Sequence, residues 1–150
     1  MPLQRDLREF IESLNSRHVE YLIVGAFALA FHGVPRATGD IDILVRSSPE
    51  NAARVEEALV AFGFTSLGLS AADFMRPDQV VQLGHPPNRI DLLTSISGVT
   101  FEEAWSTRVD DQLHGIPVRF IGREALIRNK RATGRTQDKA DLEALGVEVN

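Results

Sequence analysis

Cysteine is absent from this 150-residue chain, which excludes disulfides and thiolate-bound metal. Histidine is scarce, with four scattered residues, so a structural zinc site lacks ligands. Long apolar runs are missing too. The longest, Tyr21 to Phe31, falls well short of the roughly 18 residues that a membrane-spanning helix needs. The first ten residues, MPLQRDLREF, carry charge where a secretory signal needs an apolar stretch. Repeats, low-complexity tracts and a dividing linker are also lacking. The expectation is one soluble, cytoplasmic domain over residues 1–150 with no membrane partner.

What is present is an ordinary globular composition, 43% apolar and 25% charged, enough for a real core at this length. The net charge of −5 gives no overall footprint for DNA. The charge is uneven, however. Residues 119–139 hold seven basic side chains (Arg119, Arg123, Arg128, Lys130, Arg131, Arg135 and Lys139) against Glu124 and Asp138. Such a run is either a solvated helix face or a basic wall facing an anionic ligand.

Periodicity predicts an α+β fold: a small mixed β-sheet with helices packed on it and a C-terminal helical pair. Leu3, Leu7, Phe10, Ile11 and Leu14 have helical spacing. Tyr21 to Val24 reads as a strand ending at Gly25, and Ala26 to Phe31 as a helix. Gly33 to Gly39 is a loop, and Asp40 to Val45 a strand. Ser48-Pro49-Glu50 opens a helix that Gly63 ends. Phe64 to Leu67, Gln79 to Leu83 and Arg89 to Thr94 read as strands, the last two joined by a turn at residues 85–88. Thr100 and Glu103 have capping-box spacing. Gln112 to Ile121 fits either a hairpin or one kinked strand. Arg123 to Ala132 and Gln137 to Leu145 read as closing helices.

The chemistry concentrates in Val24 to Val45, VGAFALAFHGVPRATGDIDILV. On a strand, Asp40 and Asp42 point to one face with Cα atoms about 6.6 Å apart. Two such carboxylates repel and resist desolvation, and a divalent cation removes both penalties. Magnesium or manganese, which prefer hard oxygen ligands, suit the pair. Asp91, in the apolar strand RIDLLTS, is the natural third ligand, because a lone acid there is costly to bury. Gly25-Ala26, at a strand-to-helix junction, lets a backbone approach phosphate and presents free helix N–H groups. Arg36 and Thr38, on the intervening loop, are candidates for phosphate or backbone contact. His32, just before Gly33, is expected to fix that loop, and Trp105 to lie in the core.

These residues carry a resemblance. Val24-Gly25-Ala26, thirteen residues, then Asp40-Ile41-Asp42-Ile43 resembles the signature of the DNA polymerase β-type nucleotidyltransferase superfamily. His32 to Asp42 is similar to AbiEii-type toxin nucleotidyltransferases and related uncharacterised bacterial proteins. Lys130, Arg135, Asp138 and Asp141 stand in that subgroup's lysine–arginine–DxxD arrangement. The likeness spans nearly the whole chain and is loose over residues 46–88.

The resemblance implies a nucleotidyltransferase fold and a metal-dependent, ATP-binding type of enzyme. It would move a nucleoside monophosphate from a nucleoside triphosphate to a hydroxyl acceptor (RNA such as tRNA, a protein or a small molecule) and release pyrophosphate. Asp40 and Asp42 would bind metal, Asp91 would also assist the attacking hydroxyl, Gly25 and Ala26 would hold phosphates, and Lys130 would contact the nucleotide. A toxin–antitoxin or phage-defence setting follows from the subgroup, with a second copy or a cognate partner completing the site. Ala26 departs from the usual Gly or Ser and removes one phosphate contact. That departure favours the alternative, a catalytically weak or inactive interaction module acting as an antitoxin-like partner or nucleotide sensor. A phosphohydrolase would add histidines near the acids, and only His32 is near in sequence.

Overall fold

The structure, a computed structural model, describes residues 5–35, 39–64, 68–84 and 88–148. The first helix, α1 (Arg5–Ser16), buries Leu7, Phe10, Ile11 and Leu14 along one stripe, as their spacing predicts. It leads into β1 (Tyr21–Val24), whose four residues are all buried. Next come α2 (Gly25–Phe31) and β2 (Ile41–Val45). Helix α3 (Pro49–Phe62) starts where Ser48 Oγ accepts from the Asn51 amide and stops at Gly63 in a left-handed conformation, which glycine adopts without a Cβ penalty.

After a 3-10 turn at Ala71–Phe74, β3 (Val80–Leu83) and β4 (Ile90–Leu93) form an antiparallel pair. Helix α4 (Phe101–Ser106) begins with the full capping box: Glu103 N donates to Thr100 Oγ1, and Thr100 N donates to Glu103 Oε1. Residues 109–120 form a hairpin, not one kinked strand. Strands β5 (Val109–Leu113) and β6 (Ile116–Phe120) turn at His114-Gly115, both with positive φ, the signature of a two-residue primed turn. Helices α5 (Arg123–Thr133) and α6 (Thr136–Ala144) close the described fold around Gly134. Phe64 belongs to no strand. Residues 65–67 of the expected strand, and residues 85–87 of the expected turn, lie outside the described residues.

The six strands make one mixed sheet in the order β3-β4-β2-β1-β6-β5. β2 lies antiparallel to β1 and parallel to β4, and β6 joins β1 in parallel. Central β1 and β2 are therefore covered, and Leu22, Ile23, Ile41 and Ile43 are fully buried with Phe10, Leu14, Val55 and Leu126. The buried Asn51 ties the start of β1 to the end of β2. Its amide donates to the carbonyls of Glu20 and Arg46, and its Oδ1 accepts from the Glu20 amide, so both of its donors are used.

Trp105 departs from the sequence expectation. It is half-buried, not a core residue, and stacks on Phe101 with the guanidinium of Arg108 4.0 Å from its ring centre. An amphipathic indole is well placed at such a boundary. Among the described residues no helix is long and apolar enough to cross a membrane.

Candidate active site

The register of β2 settles how the acids meet. Asp42 lies opposite Val24 of β1 on one side and opposite Asp91 of β4 on the other. Register partners on adjacent strands share a face about 4.8 Å apart. Asp42 and Asp91 are thus brought side by side. Asp40, one residue ahead of β2, joins them. Its Oδ1 accepts from the Arg89 amide at 2.8 Å, while Arg89 O accepts from the Ile41 amide at 3.0 Å.

The electrostatics follow from this crowding. Burial, first, and then the charge of Asp91 and the bond to it push the Asp42 pKa from 3.8 up to about 6. Asp40 adds to the rise and Arg89 opposes it. Placing like charges in a half-buried site disfavours ionisation in this way.

Arg89 was not among the sequence candidates. Its Nε donates to Asp91 Oδ1 at 2.7 Å and its Nη2 to Asp91 Oδ2 at 3.1 Å. Nη2 also stands 3.9 Å from Asp40 Oδ2. The signal was in the spacing: Arg89 precedes Asp91 by two residues, so extended backbone puts both side chains on one face. The three carboxylates still outnumber this guanidinium. Among the described residues, no three His, Cys, Asp or Glu side chains already stand as a ready metal-ligand set. Both Asp91 oxygens are engaged by Arg89, and those are oxygens a cation would use.

Gly25 adopts φ +66° at the β1–α2 junction, and Asp42 lies directly against it. The preceding Val24 supplies no side-chain cap to the first N–H groups of α2. Gly25 and Ala26 are both partly exposed. His32 stands at the other end of α2, and its Nε2 donates to the Ile121 carbonyl at 2.8 Å, a tie to the end of β6 where the sequence suggested one to the loop. Arg36 and Thr38 lie outside the described residues.

Lys130 is no solvated surface charge. Its side chain is 10% exposed, and Nζ sits 3.3 Å from Asp138 Oδ1 and 3.0 Å from Asp141 Oδ2. Asp138 is fully buried. It accepts from Thr133 Oγ1 at 2.7 Å and from Arg135 Nε at 2.7 Å. Burial alone would raise its pKa; the Arg135 and Thr133 bonds and the Lys130 charge overcome that and hold it well below the usual range. Asp138 and Asp141 therefore orient the two cations and do not merely solubilise α6. The Arg135 guanidinium is stabilised in its charged form chiefly by its bond to Asp138, with the smallest contribution from Asp42.

A depression of about 400 Å³ lies at the far β5–β6 edge, lined by residues including Asp110, Asp111 and Arg119. The sheet order separates it from the acids, and the acid cluster is the more chemically committed feature.

No protein-family model matches the chain, and no curated protein matches it. Solved structures do. A candidate nucleotidyltransferase from Thermotoga maritima superposes with a TM-score of 0.62 at 18% identity, covering 93% of this chain and 89% of that one. An antigenic nucleotidyltransferase-like protein from Paracoccidioides brasiliensis superposes with a TM-score of 0.53 at 16% identity, covering 97% of this chain and 76% of that one. At such low identity the likeness speaks to architecture, and by architecture this chain has the nucleotidyltransferase fold.

Proposed function

We propose that the chain is a metal-dependent nucleotidyltransferase that moves a nucleoside monophosphate from a nucleoside triphosphate to a hydroxyl acceptor. The observation that carries this reading is the in-register pairing of Asp42 with Asp91, with Asp40 alongside and Gly25 beneath Asp42. Three hard oxygen donors with surplus negative charge fit magnesium or manganese better than softer metals. Asp40, Asp42 and Asp91 would hold the ion, which when bound neutralises charge on the phosphates.

The chain's own groups divide the remaining work. Gly25 and Ala26 offer backbone N–H groups to the phosphates. Lys130, held by Asp138 and Asp141, is a nucleotide contact, and Arg36 and Thr38 are further phosphate contacts. The acceptor oxygen bonds to the α-phosphorus as the bond to pyrophosphate breaks, and Asp91 helps take the acceptor proton. Catalysis of this kind is mainly positioning and charge stabilisation. The AbiEii-like subgroup, ATP as donor and a toxin–antitoxin or phage-defence setting extend the same reading. So do tRNA or a protein as acceptor, a second copy or cognate partner, and a cytoplasmic location.

The test is magnesium-dependent incorporation of label from an α-labelled triphosphate into lysate RNA, protein or small molecules, with Asp42→Asn as control. Incorporation that Asp42→Asn leaves unchanged removes the assignment. A second reading, an interaction module with the same fold, is favoured by Ala26. It calls for triphosphate binding without incorporation.

A further inference from the structure

We propose that Arg89 is an internal counter-cation of the acid cluster, one that a divalent ion must displace from Asp91 before it can bind. The inference rests on the metal-binding reading of Asp40, Asp42 and Asp91 and adds a residue that reading does not contain.

The geometry is that of an occupied position. Arg89 clamps both Asp91 oxygens with its fork, and bidentate charge-assisted pairs of this type are among the stronger polar contacts. The same side chain reaches toward Asp40, while its backbone amide holds Asp40 Oδ1. Its guanidinium thus stands beside two of the three acids that a cation would bridge. The Asp91 side chain is only 10% exposed. Stripped of Arg89 and given no replacement, it would leave a buried charge beside Asp42, which is costly. Without metal, Arg89 supplies the compensating cation.

The exchange is feasible because the two cations are mounted differently. Arg89 sits just ahead of β4, and its side chain is 26% exposed, against 10% for Asp91, so it is the less enclosed partner of the pair. Its backbone bond to Asp40 does not depend on the side chain. Strand register fixes Asp42 and Asp91, and the Arg89 backbone amide fixes Asp40, so the acids stay in place when the arginine side chain leaves. Metal and arginine compete for the same lone pairs. By linkage, whatever strengthens one cation's hold weakens the other's.

The test uses manganese alone, titrated by calorimetry into the full chain without nucleotide, for wild type and Arg89→Gln. Arg89→Gln should bind manganese about tenfold more tightly, and manganese should raise its melting temperature more than that of wild type. Arginine Nε–H NMR reads displacement directly. The resonance absent from Arg89→Gln should shift when wild type is saturated with magnesium. Equal or weaker manganese affinity in Arg89→Gln overturns the counter-cation while leaving the metal site standing. Failure of both proteins to bind manganese overturns the metal reading and this inference with it. If Arg89→Gln does not fold without metal, Arg89→Lys, which keeps a cation but not the fork, is put through the same titration and should bind manganese more tightly than wild type.

Discussion

Asp42 packs on the bare Cα of Gly25: a β-carbon at that glycine would collide with Asp42 Oδ2 and stand 3.1 Å from its Cγ. The same glycine holds φ +66°. One residue therefore satisfies two demands, a left-handed turn between β1 and α2 and space for an acid of the candidate site.

Gly25→Ala should lose both stability and site geometry. Left-handed backbone costs a non-glycine residue about 1 kcal/mol, and the clash with Asp42 raises the loss to about 2–3 kcal/mol. Gly68 is the control, since it has φ +68° and nothing within 4 Å of an added β-carbon. Chemical denaturation of both variants checks this. A loss at Gly25 no larger than at Gly68 would mean that the contact with Asp42 is energetically unimportant.

Asp42→Asn should stabilise the metal-free protein while removing metal-dependent triphosphate binding. The sign follows from the raised pKa. The fold holds the proton on Asp42 more tightly than the unfolded chain does, 6 against 3.8. Ionised Asp42 consequently weakens the fold progressively as pH rises from about 4 to above 6. The full shift corresponds to about 3 kcal/mol, and partial exposure reduces this to about 1–2 kcal/mol. Urea melts in a chelator should show the gain at pH 8 and little of it at pH 4. A gain independent of pH would contradict the assigned cause.

Asp138→Ala should be among the more damaging single changes in the C-terminal pair. It removes the shared partner of Lys130, Arg135 and Thr133, and breaking a buried pair costs about 3 kcal/mol. The Asp138 pKa is depressed, so its contribution is present above the unfolded value near 4 and fades as pH falls below it. The gap between wild type and variant should narrow in acid. A constant gap from pH 7 to pH 3 would point to lost packing alone.

Lys130→Ala should weaken triphosphate binding by about tenfold while changing nucleoside binding much less, because a lysine recognises phosphate as a point charge. Calorimetry with both ligands measures the split. Equal losses would remove Lys130 from the phosphate site.

Much of the fold was legible in local chemistry. The stripe Leu7, Phe10, Ile11 and Leu14, the caps at Ser48, Thr100 and Glu103, and the stops at Gly63 and Gly134 lie where near-neighbour rules put them. These features act within a turn or two of chain, so the order of residues contains them. The strand carrying Asp42, read from strand period, is of the same kind, although it begins one residue after Asp40. Arg89 was legible in principle by that period too, but a lone arginine ahead of a strand carries no chemistry until its carboxylate partner is known to be there.

What only the tertiary structure decided is which distant segments became neighbours. Strand order and register put Asp91 beside Asp42 across 49 residues of chain. Packing of α5 on α6 turned an apparently solvated run of charge into a buried Lys130–Asp138–Asp141 cluster, and left Trp105 at a boundary among arginines. Sequence alone could establish that a strand follows Asp40 and that Gly25 turns the chain, because dihedral preference and side-chain alternation are local. It could not establish that Arg89 neutralises Asp91 or that Lys130 is enclosed, because burial and long-range register depend on the whole chain packing at once.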